Sequence, residues 1–347
     1  MTEKEREQAA ENKIKQKGPA GAVLILVLGT AALVLGLGLS ISFGAASINL
    51  GTVWEALVAF NPDVTDHQII QEVRLPRVLS AVFIGSFLAV SGAIMQGMTR
   101  NPLASPAILG VTDGAAFAIA LAFAFFPGTS YIGLLVWSFA GAGLGALLVF
   151  GIGMFAKGGI TPVKLALAGV AVGAMLSSFS SAIGIHFDVA QDMAFWFAGG
   201  LAGMQWISIQ MLIPVAVIGL GLAFFISRAI TILSLGEEVS KGLGQKTALI
   251  KTLGIITVLL LTGAAVAVAG RIGFIGLVIP HITRFLAGVD YRWIIPCSAV
   301  LGALLLVLAD LGARMVNAPY ETPVGAITAL IGVPFFLYLA RGEGRGL

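Results

Sequence analysis

Charge is scarce in this chain of 347 residues. Asp, Glu, Lys and Arg make up 11% of it, against about a quarter in a typical soluble domain. Hydrophobic residues make up 58%, and the mean hydropathy is +1.00. A soluble globular protein is therefore excluded. The net charge of +3 comes from basic residues scattered at the ends of apolar runs, which is not the basic patch of a nucleic-acid-binding protein.

Cysteine and histidine are also rare. The single cysteine, Cys297, excludes an internal disulfide framework and a cysteine-rich zinc site. The three histidines, His67, His186 and His281, lie far apart in the sequence and do not have the close spacing that is typical of metal ligands. The sequence therefore predicts no metal site.

The common motifs of enzymes are missing too. The stretch nearest to a nucleotide-binding loop is GLGQKT, but Gln245 stands where a phosphate-binding loop needs glycine before the lysine. The sequence has neither the HExxH motif of zinc proteases nor the GxSxG motif of serine hydrolases. We therefore predict no catalytic residue, no ATPase site and no cofactor in this chain.

Long apolar runs are abundant. A helix rises about 1.5 Å per residue and a bilayer core is about 30 Å thick, so ten runs are long enough to cross a membrane or nearly so. They fall at 21–43, 78–98, 106–126, 132–156, 163–186, 208–230, 248–269, 274–288, 293–316 and 324–340. The fold class predicted is all-α, a polytopic membrane protein with ten transmembrane helices. The 45 glycines, in pairs such as Gly141 and Gly145, predict closely packed helices.

The basic residues indicate the orientation. With the N-terminus inside, the cytoplasmic segments hold 16 of the 20 Lys and Arg residues. The outer segments hold only Arg74, Arg77, Arg271 and Arg314. We therefore predict that both termini are cytoplasmic. Residues 1–20 are predicted to form a polar tail without a cleavable signal, and 21–347 a single transmembrane domain.

The loops between the runs carry further predictions. Short helices are expected in the outer stretches 51–60 and 66–73 and in the aromatic outer stretch 189–206. The only long cytoplasmic loop, 227–251, is also the most charged, and it is predicted to contain short helices.

The eighth apolar run is unusually short. Only 12 residues separate Arg271 from Arg284, and Pro280 lies among them. A helix of that length covers about 20 Å, which is too little to cross a bilayer. A short, proline-broken span is a sequence indicator of a transport pathway, and a tilted helix kinked for packing is the alternative.

Two acids lie within apolar runs. Asp113 stands about two turns from the inner end of the third run, and Asp310 lies in the ninth. An ion-coupled secondary transporter would use such carboxylates as proton or sodium sites. The alternatives are structural: Asp113 could cap or bond a neighbouring helix, and Asp310 lies four residues before Arg314, the spacing of an ion pair on one helix face.

Several segments resemble the permease subunits of type II ABC importers, a family that moves iron–siderophores, haem and cobalamin. They are RLPR at 74–77, SGAIMQG at 91–97, RNPLASPAILGV at 100–111 and GRIGFIGLVIPHITRFLAGVDYR at 270–292, with further matches to residue 339. The resemblance implies two permeases, identical or paralogous, around one pathway. It also implies two cytoplasmic ATPase subunits that use ATP, an extracytoplasmic substrate-binding protein, and a place in the cytoplasmic membrane of a bacterium.

The resemblance also implies roles for individual residues on the cytoplasmic side. A contact that couples the chain to the ATPase is expected within the loop 227–251, at Leu235, Gly236, Glu237, Glu238, Lys241, Gly242 and Gly244. A cytoplasmic gate is expected at Asn101, Leu103 and Thr161. Pro162 departs from the family pattern, which often has a second hydroxyl there.

On the outer side, Arg74, Arg77 and, by a weaker match, Arg314 are expected to dock the substrate-binding protein. The pathway walls would come from the third, fifth, eighth and tenth runs and from the aromatic segment around Phe195–Phe197. The sequence is thus interpreted as the permease of an ATP-driven importer for ferric siderophores. Cobalamin or haem as the cargo, and an ion-coupled secondary transporter, remain as alternatives.

Overall fold

Helices form all of the regular secondary structure in the residues that the computed structural model describes, which are 19–44, 47–106, 110–155, 162–198, 200–318 and 320–343. The predicted tail lies almost wholly outside these ranges. The helices are α1 Pro19–Ser42, α2 Leu50–Val58, α3 Thr65–Thr99, α4 Val111–Phe125, α5 Tyr131–Phe155, α6 Pro162–His186, α7 Ala190–Ala198, α8 Trp206–Ser234, α9 Glu237–Gly242, α10 Thr247–Ala269, α11 Ile275–Ala287, α12 Tyr291–Val316 and α13 Val324–Glu343.

Seven of the described helices are long and apolar enough to cross a membrane: α1, α3, α5, α6, α8, α10 and α12. Three shorter apolar helices, α4, α11 and α13, coincide with the third, eighth and tenth predicted spans. The all-helical, multi-pass architecture is therefore confirmed, while the count of ten spans stays a prediction. The helix α3 is the most deeply buried of the seven and packs against α10, α11 and α12 in the main hydrophobic core.

The short helices lie where the sequence predicts them, except in the stretch 66–73. The helix α2 is capped by Asn49, whose side chain accepts from the backbone of Gly51 at 2.8 Å, and α7 and α9 lie in the predicted loops. The stretch 66–73 is not a separate helix. It forms the first turns of α3, which run through a π-helical turn at Ile69–Arg74 before the spanning part begins.

The helix α4 begins halfway along its neighbour α5. A Cβ atom on Gly114 would overlap the carbonyl oxygen of Gly141 and would lie 2.9 Å from the Cα of Gly145. Both of these glycines lie near the middle of α5. The predicted close packing of the Gly141 and Gly145 pair is confirmed. Because α5 is long and apolar enough to span the membrane, the first turn of α4 lies about halfway along such a span rather than at its end.

The helix α11 also begins away from the membrane surface. A Cβ atom on Gly92, within α3, would overlap the backbone carbonyl of Gly276 in the first turn of α11. Pro280 has no N–H, so the carbonyl of Gly276 loses its usual partner within the helix. The side-chain amide of Gln96, which is buried, donates to that carbonyl at 3.3 Å. The short helix predicted for the eighth apolar run is confirmed, and the side chain of Gln96 in α3 satisfies the carbonyl that Pro280 frees.

This contact leads to a prediction about packing. The change Gly92→Ala places a methyl group on the Gly276 carbonyl, so α3 and α11 must separate, and we expect a loss of about 1–3 kcal/mol in the free energy of unfolding. Thermal unfolding of the protein in lipid nanodiscs measures the change. Gly221→Ala in α8 is the matched control, since no atom lies within 4 Å of a Cβ there. Equal stability of the two variants would contradict the contact.

Candidate functional site

Two of the predicted docking arginines cap the outer end of α1. Arg74 donates to the carbonyl oxygens of Ile41 and Ser42, the second at 2.9 Å. Arg314 donates to the carbonyl oxygens of Phe43 at 3.2 Å and of Ser40 at 3.1 Å. These carbonyls lie in and just after the last turn of α1 and lack partners within the helix, so the two guanidinium groups satisfy them.

The third arginine joins two other elements at the same end. Arg77 pairs with Asp310 of α12 at 2.9 Å and with Glu321 at 2.5 Å. Asp310, which is 1% exposed, also pairs with Arg314 at 3.2 Å, so the structural pairing predicted from their spacing is confirmed. The docking role of Arg74, Arg77 and Arg314 stays a prediction. The structure buries all three residues at this end of the fold, where each is at most 8% exposed.

The second intramembrane acid lies at mid-depth. Asp113, in the first turn of α4, pairs with Arg271 at 2.8 Å. As expected, Asp113 lies near the beginning of its helix. The helix itself begins later than the predicted run, at Val111 instead of residue 106, and this beginning lies beside the middle of α5.

A cavity of about 290 Å³ lies beside this ion pair. Leu88 at the centre of α3 lines it, together with residues before and within the first turns of α4 and α11 and two residues of α10: Ser105, Pro106, Thr112, Asp113, Thr262, Val266, Arg271, Ile272, Gly273, Phe274 and Gly276. A second cavity of about 400 Å³, between α4, α6 and α7, shares Arg271 as a lining residue. The ring of Phe197 in α7 lies 5.9 Å from the Arg271 guanidinium carbon. Of the predicted pathway walls, the third, fifth and eighth spans and the aromatic segment all meet here.

The predicted gate lies where α3 ends. Asn101 closes a tight turn by accepting from the backbone of Leu103 at 2.9 Å, and it is exposed. Arg100, in a left-handed conformation, ends α3, and its guanidinium lies 3.8 Å from the point where Gly236 would carry a Cβ. The turn is therefore adjacent to the predicted coupling contact. Thr161 lies outside the described residues.

The predicted coupling contact includes the short helix α9, which is held by ion pairs to its neighbours. Glu237 begins α9 and pairs with Lys251 at 2.6 Å and with Lys241 at 3.1 Å. The hydrogen bond from Lys251 and then that from Lys241 lower the pKa of the Glu237 carboxyl below its usual value. The carboxyl therefore stays ionised, and α9 stays tied to α10, throughout the neutral range.

An exposed apolar stripe on this loop was missed by the sequence reasoning. Leu235, Val239 and Leu243 are between 48% and 67% exposed, and they follow one another at intervals of four residues. Val239 and Leu243 share one face of a helical segment, since the backbone N–H of Leu243 donates to the carbonyl of Val239 at 3.0 Å. Leu235 lies just before the break in the helix at Gly236, whose φ is +135°. The prediction included Leu235 together with three charged residues and three glycines of this loop, but not Val239 and Leu243. The i, i+4, i+8 pattern in an otherwise polar loop was the signal that could have found Val239 and Leu243.

Comparisons with known proteins agree on one family. The model of the FecCD transport family matches residues 32–342. The iron(3+)-hydroxamate import system permease protein FhuB of Bacillus subtilis (strain 168) is 65% identical over 306 residues, which cover 88% of this chain and 80% of that protein. The iron-uptake system permease protein FeuB of the same organism is 48% identical over 302 residues, which cover 87% of this chain and 90% of that one.

A solved structure is similar throughout. The inward-facing conformation of a metal-chelate type ABC transporter matches with a TM-score of 0.81 and 32% sequence identity. The match covers 92% of this chain and 99% of that one. The helices described above therefore have the arrangement of an ABC transporter's membrane subunit.

The ion pairs of Glu237 lead to a prediction about the coupling helix. Glu237→Gln removes the charge that holds Lys251 and Lys241, so we expect faster hydrogen exchange of the backbone amides in α9 at neutral pH. Because the carboxyl's pKa is lowered, the stabilisation is present above the usual glutamate pKa and is lost as the pH falls through the lowered value. Glu238→Gln, at the exposed neighbouring carboxylate, is the control and should exchange as the unaltered chain does. Equal exchange in both variants would disprove the tether.

The buried carboxylate of Asp310 leads to a second prediction. Asp310→Asn leaves Arg77 and Arg314 without their shared buried anion, and we expect a loss of about 3–5 kcal/mol in the free energy of unfolding. Thermal unfolding in nanodiscs measures it, with the exposed Asp63→Asn as the control. A variant as stable as the control would mean that the cluster does not hold the outer end together.

Proposed function

Because the chain belongs to the FecCD transport family, we propose that it forms the membrane pathway of an ATP-driven importer for ferric siderophores of the hydroxamate class. As a member of this family it is a permease subunit without an ATPase site of its own. The observation that carries the choice of cargo is the 65% identity to a permease of an iron(3+)-hydroxamate import system. The shared fold with a metal-chelate type ABC transporter supports the same reading.

Two such permeases, identical or paralogous, would enclose one pathway. The cavity beside Arg271 and the neighbouring cavity beside α7 both have Arg271 in their lining, and we assign the side of the helix bundle on which they lie to the partner permease. The proposed setting is the cytoplasmic membrane of a bacterium, with ten spans and both termini inside. The excess of basic residues on the cytoplasmic segments supports that orientation.

The coupling loop would receive a cytoplasmic ATPase, one on each permease. The apolar stripe of Leu235, Val239 and Leu243 offers the buried core of such a contact, and the exposed Glu238 and Lys241 offer its charged rim. The ion pair between Glu237 and Lys251 would transmit a displacement of α9 to the spanning helix α10.

On the outer face a substrate-binding protein would deliver the chelate. We propose that Arg74, Arg77 and Arg314 act in docking from beneath the surface. They fix the end of α1 and hold Glu321, whose side chain is 47% exposed, at the outer mouth. In this arrangement Glu321 contacts the binding protein, and the arginines hold Glu321 in position.

The ion-coupled alternative finds less support. Both intramembrane acids, Asp113 and Asp310, are paired with arginines, so each carboxylate is already compensated without a proton or a sodium ion. A gradient-driven carrier instead needs a carboxylate that gains and loses its cation during each cycle. The pairing of both acids favours a pathway driven from outside the chain by ATP hydrolysis.

Transport by the reconstituted complex tests this function. Proteoliposomes with the chain, its partner permease, the ATPase and the binding protein should take up a ferric hydroxamate only with ATP inside. They should continue after ionophores collapse the ion gradients. Haem and cobalamin in place of the chelate serve as comparison cargoes. Uptake that needs an ion gradient and no ATPase would overturn the proposal, and uptake of haem or cobalamin alone would change the cargo.

A further inference from the structure

The cavity beside the Asp113–Arg271 ion pair has features that a pathway wall without ligand contacts would not need. Two helices begin at it: α4 after Gly110, with φ of +71°, and α11 after Phe274, with φ of +67°. A bulky residue at positive φ is strained, and such strain is stored mainly at functional sites. The dipoles of the two helices place partial positive charge at these beginnings, which favours negatively polarised ligand atoms nearby. In α11 the backbone N–H groups of Ile275 and Leu277 are themselves paired, with the carbonyls of Gly273 and Phe274.

An independent observation points to a ligand. Thr262 of α10 lines the same cavity and is 2% exposed, and its hydroxyl has no hydrogen-bond partner among the described residues. A buried hydroxyl without a partner costs free energy, and most buried polar groups in proteins are paired. Other threonines of these helices, such as Thr257 and Thr283, bond a carbonyl one turn earlier. The hydroxyl of Thr262 is therefore uncommitted, in a residue that lines the cavity.

The ion pair with Asp113 holds the Arg271 guanidinium in place and occupies only part of its hydrogen-bonding capacity. The Nη2 atom of Arg271 donates to Asp113 at 2.8 Å, and the guanidinium has other N–H donors. The Arg271 side chain is 52% exposed and lines both cavities, so it faces the space between them. The second carboxylate oxygen of Asp113 packs closely against α6, since a Cβ atom on Gly173 would lie only 2.6 Å from that oxygen.

We propose that this cavity is a transient subsite for the iron-bound oxygens of the ferric chelate, which accept hydrogen bonds from Arg271 and Thr262. The inference rests on the proposed function and adds the residues that touch the cargo. Oxygens that coordinate iron in a hydroxamate are negatively polarised, which suits a guanidinium, a hydroxyl and two helix N-termini. The volume of about 290 Å³ accommodates one arm of a chelate, with the rest in the shared pathway. Asp113 keeps the net charge near zero, so that the chelate can leave again.

The experiment compares two threonines on one helix. Thr262→Val removes the unpartnered hydroxyl, and Thr257→Val is the matched control, fully buried in α10 but away from the cavity. In the reconstituted importer we expect Thr262→Val to lower chelate uptake per ATP hydrolysed about threefold, and Thr257→Val to leave it unchanged. Thermal unfolding should find Thr262→Val at least as stable as the unaltered chain, because no internal hydrogen bond is lost. If the Thr262 hydroxyl had only a structural role, the Thr262→Val variant would instead be less stable than the unaltered chain.

A second variant tests the ion pair without leaving a charge alone. The double change Asp113→Asn with Arg271→Gln keeps the shapes and removes both charges, and we expect uptake to fall about tenfold while the complex still assembles. If the pair only holds α4 in place, the neutral pair transports as before, and the inference is wrong. Normal uptake by Thr262→Val also overturns it. Because the unaltered importer is measured alongside, failure of that complex to import any chelate counts against the proposed function instead.

Discussion

In hydrocarbon a backbone that leaves its helix must find its hydrogen bonds inside the protein, and this constraint governs the architecture of the chain. Both α4 and α11 begin near mid-depth, so residues before each of them lie where no lipid could satisfy them. For α11 the solution is visible: Pro280 frees the carbonyl of Gly276, and Gln96 of α3 donates to it. The same two breaks border a cavity. The position of the cavity thus follows from where the helices are interrupted.

The interruptions were only partly predictable from the sequence. The ten apolar runs coincide closely with the apolar helices, since run length and bilayer thickness set both. The eighth span was expected to be short because Arg271 and Arg284 bound it and Pro280 divides it. The late start of α4 gave no such signal, because the run from 106 continues unbroken through Gly110. The depth of Asp113 is set by the contact of Gly114 with the middle of α5, which no local pattern contains.

The sequence predicted that Arg74, Arg77 and Arg314 lie at one end of the fold, but it did not predict that their side chains point inward. That Asp310 pairs with Arg314 follows from their spacing of four residues on one helix. That Arg77 turns inward to the same carboxylate depends on a contact across 233 positions, and the carbonyls that hold Arg74 belong to α1. Sequence reasoning assigned these arginines to the outer end and expected them on its surface. In the coupling loop the prediction named Leu235, charged residues and glycines but not the exposed Val239 and Leu243.

One helix connects the three levels of the site. The helix α3 carries Arg77 at its outer end, Leu88 beside the cavity, and Met98 in the space that Glu237 and Lys251 also line. Sliding α3 along its axis would separate Arg77 from Asp310 in a buried setting, which costs several kcal/mol. Tilting α3 about the contact of Gly92 with Gly276 would also move Arg77, which lies about 22 Å along the helix from that contact. A displacement of α9 would therefore reach the cavity more readily through α10, because α10 carries Lys251, the partner of Glu237, and also Thr262 and Val266 beside the cavity.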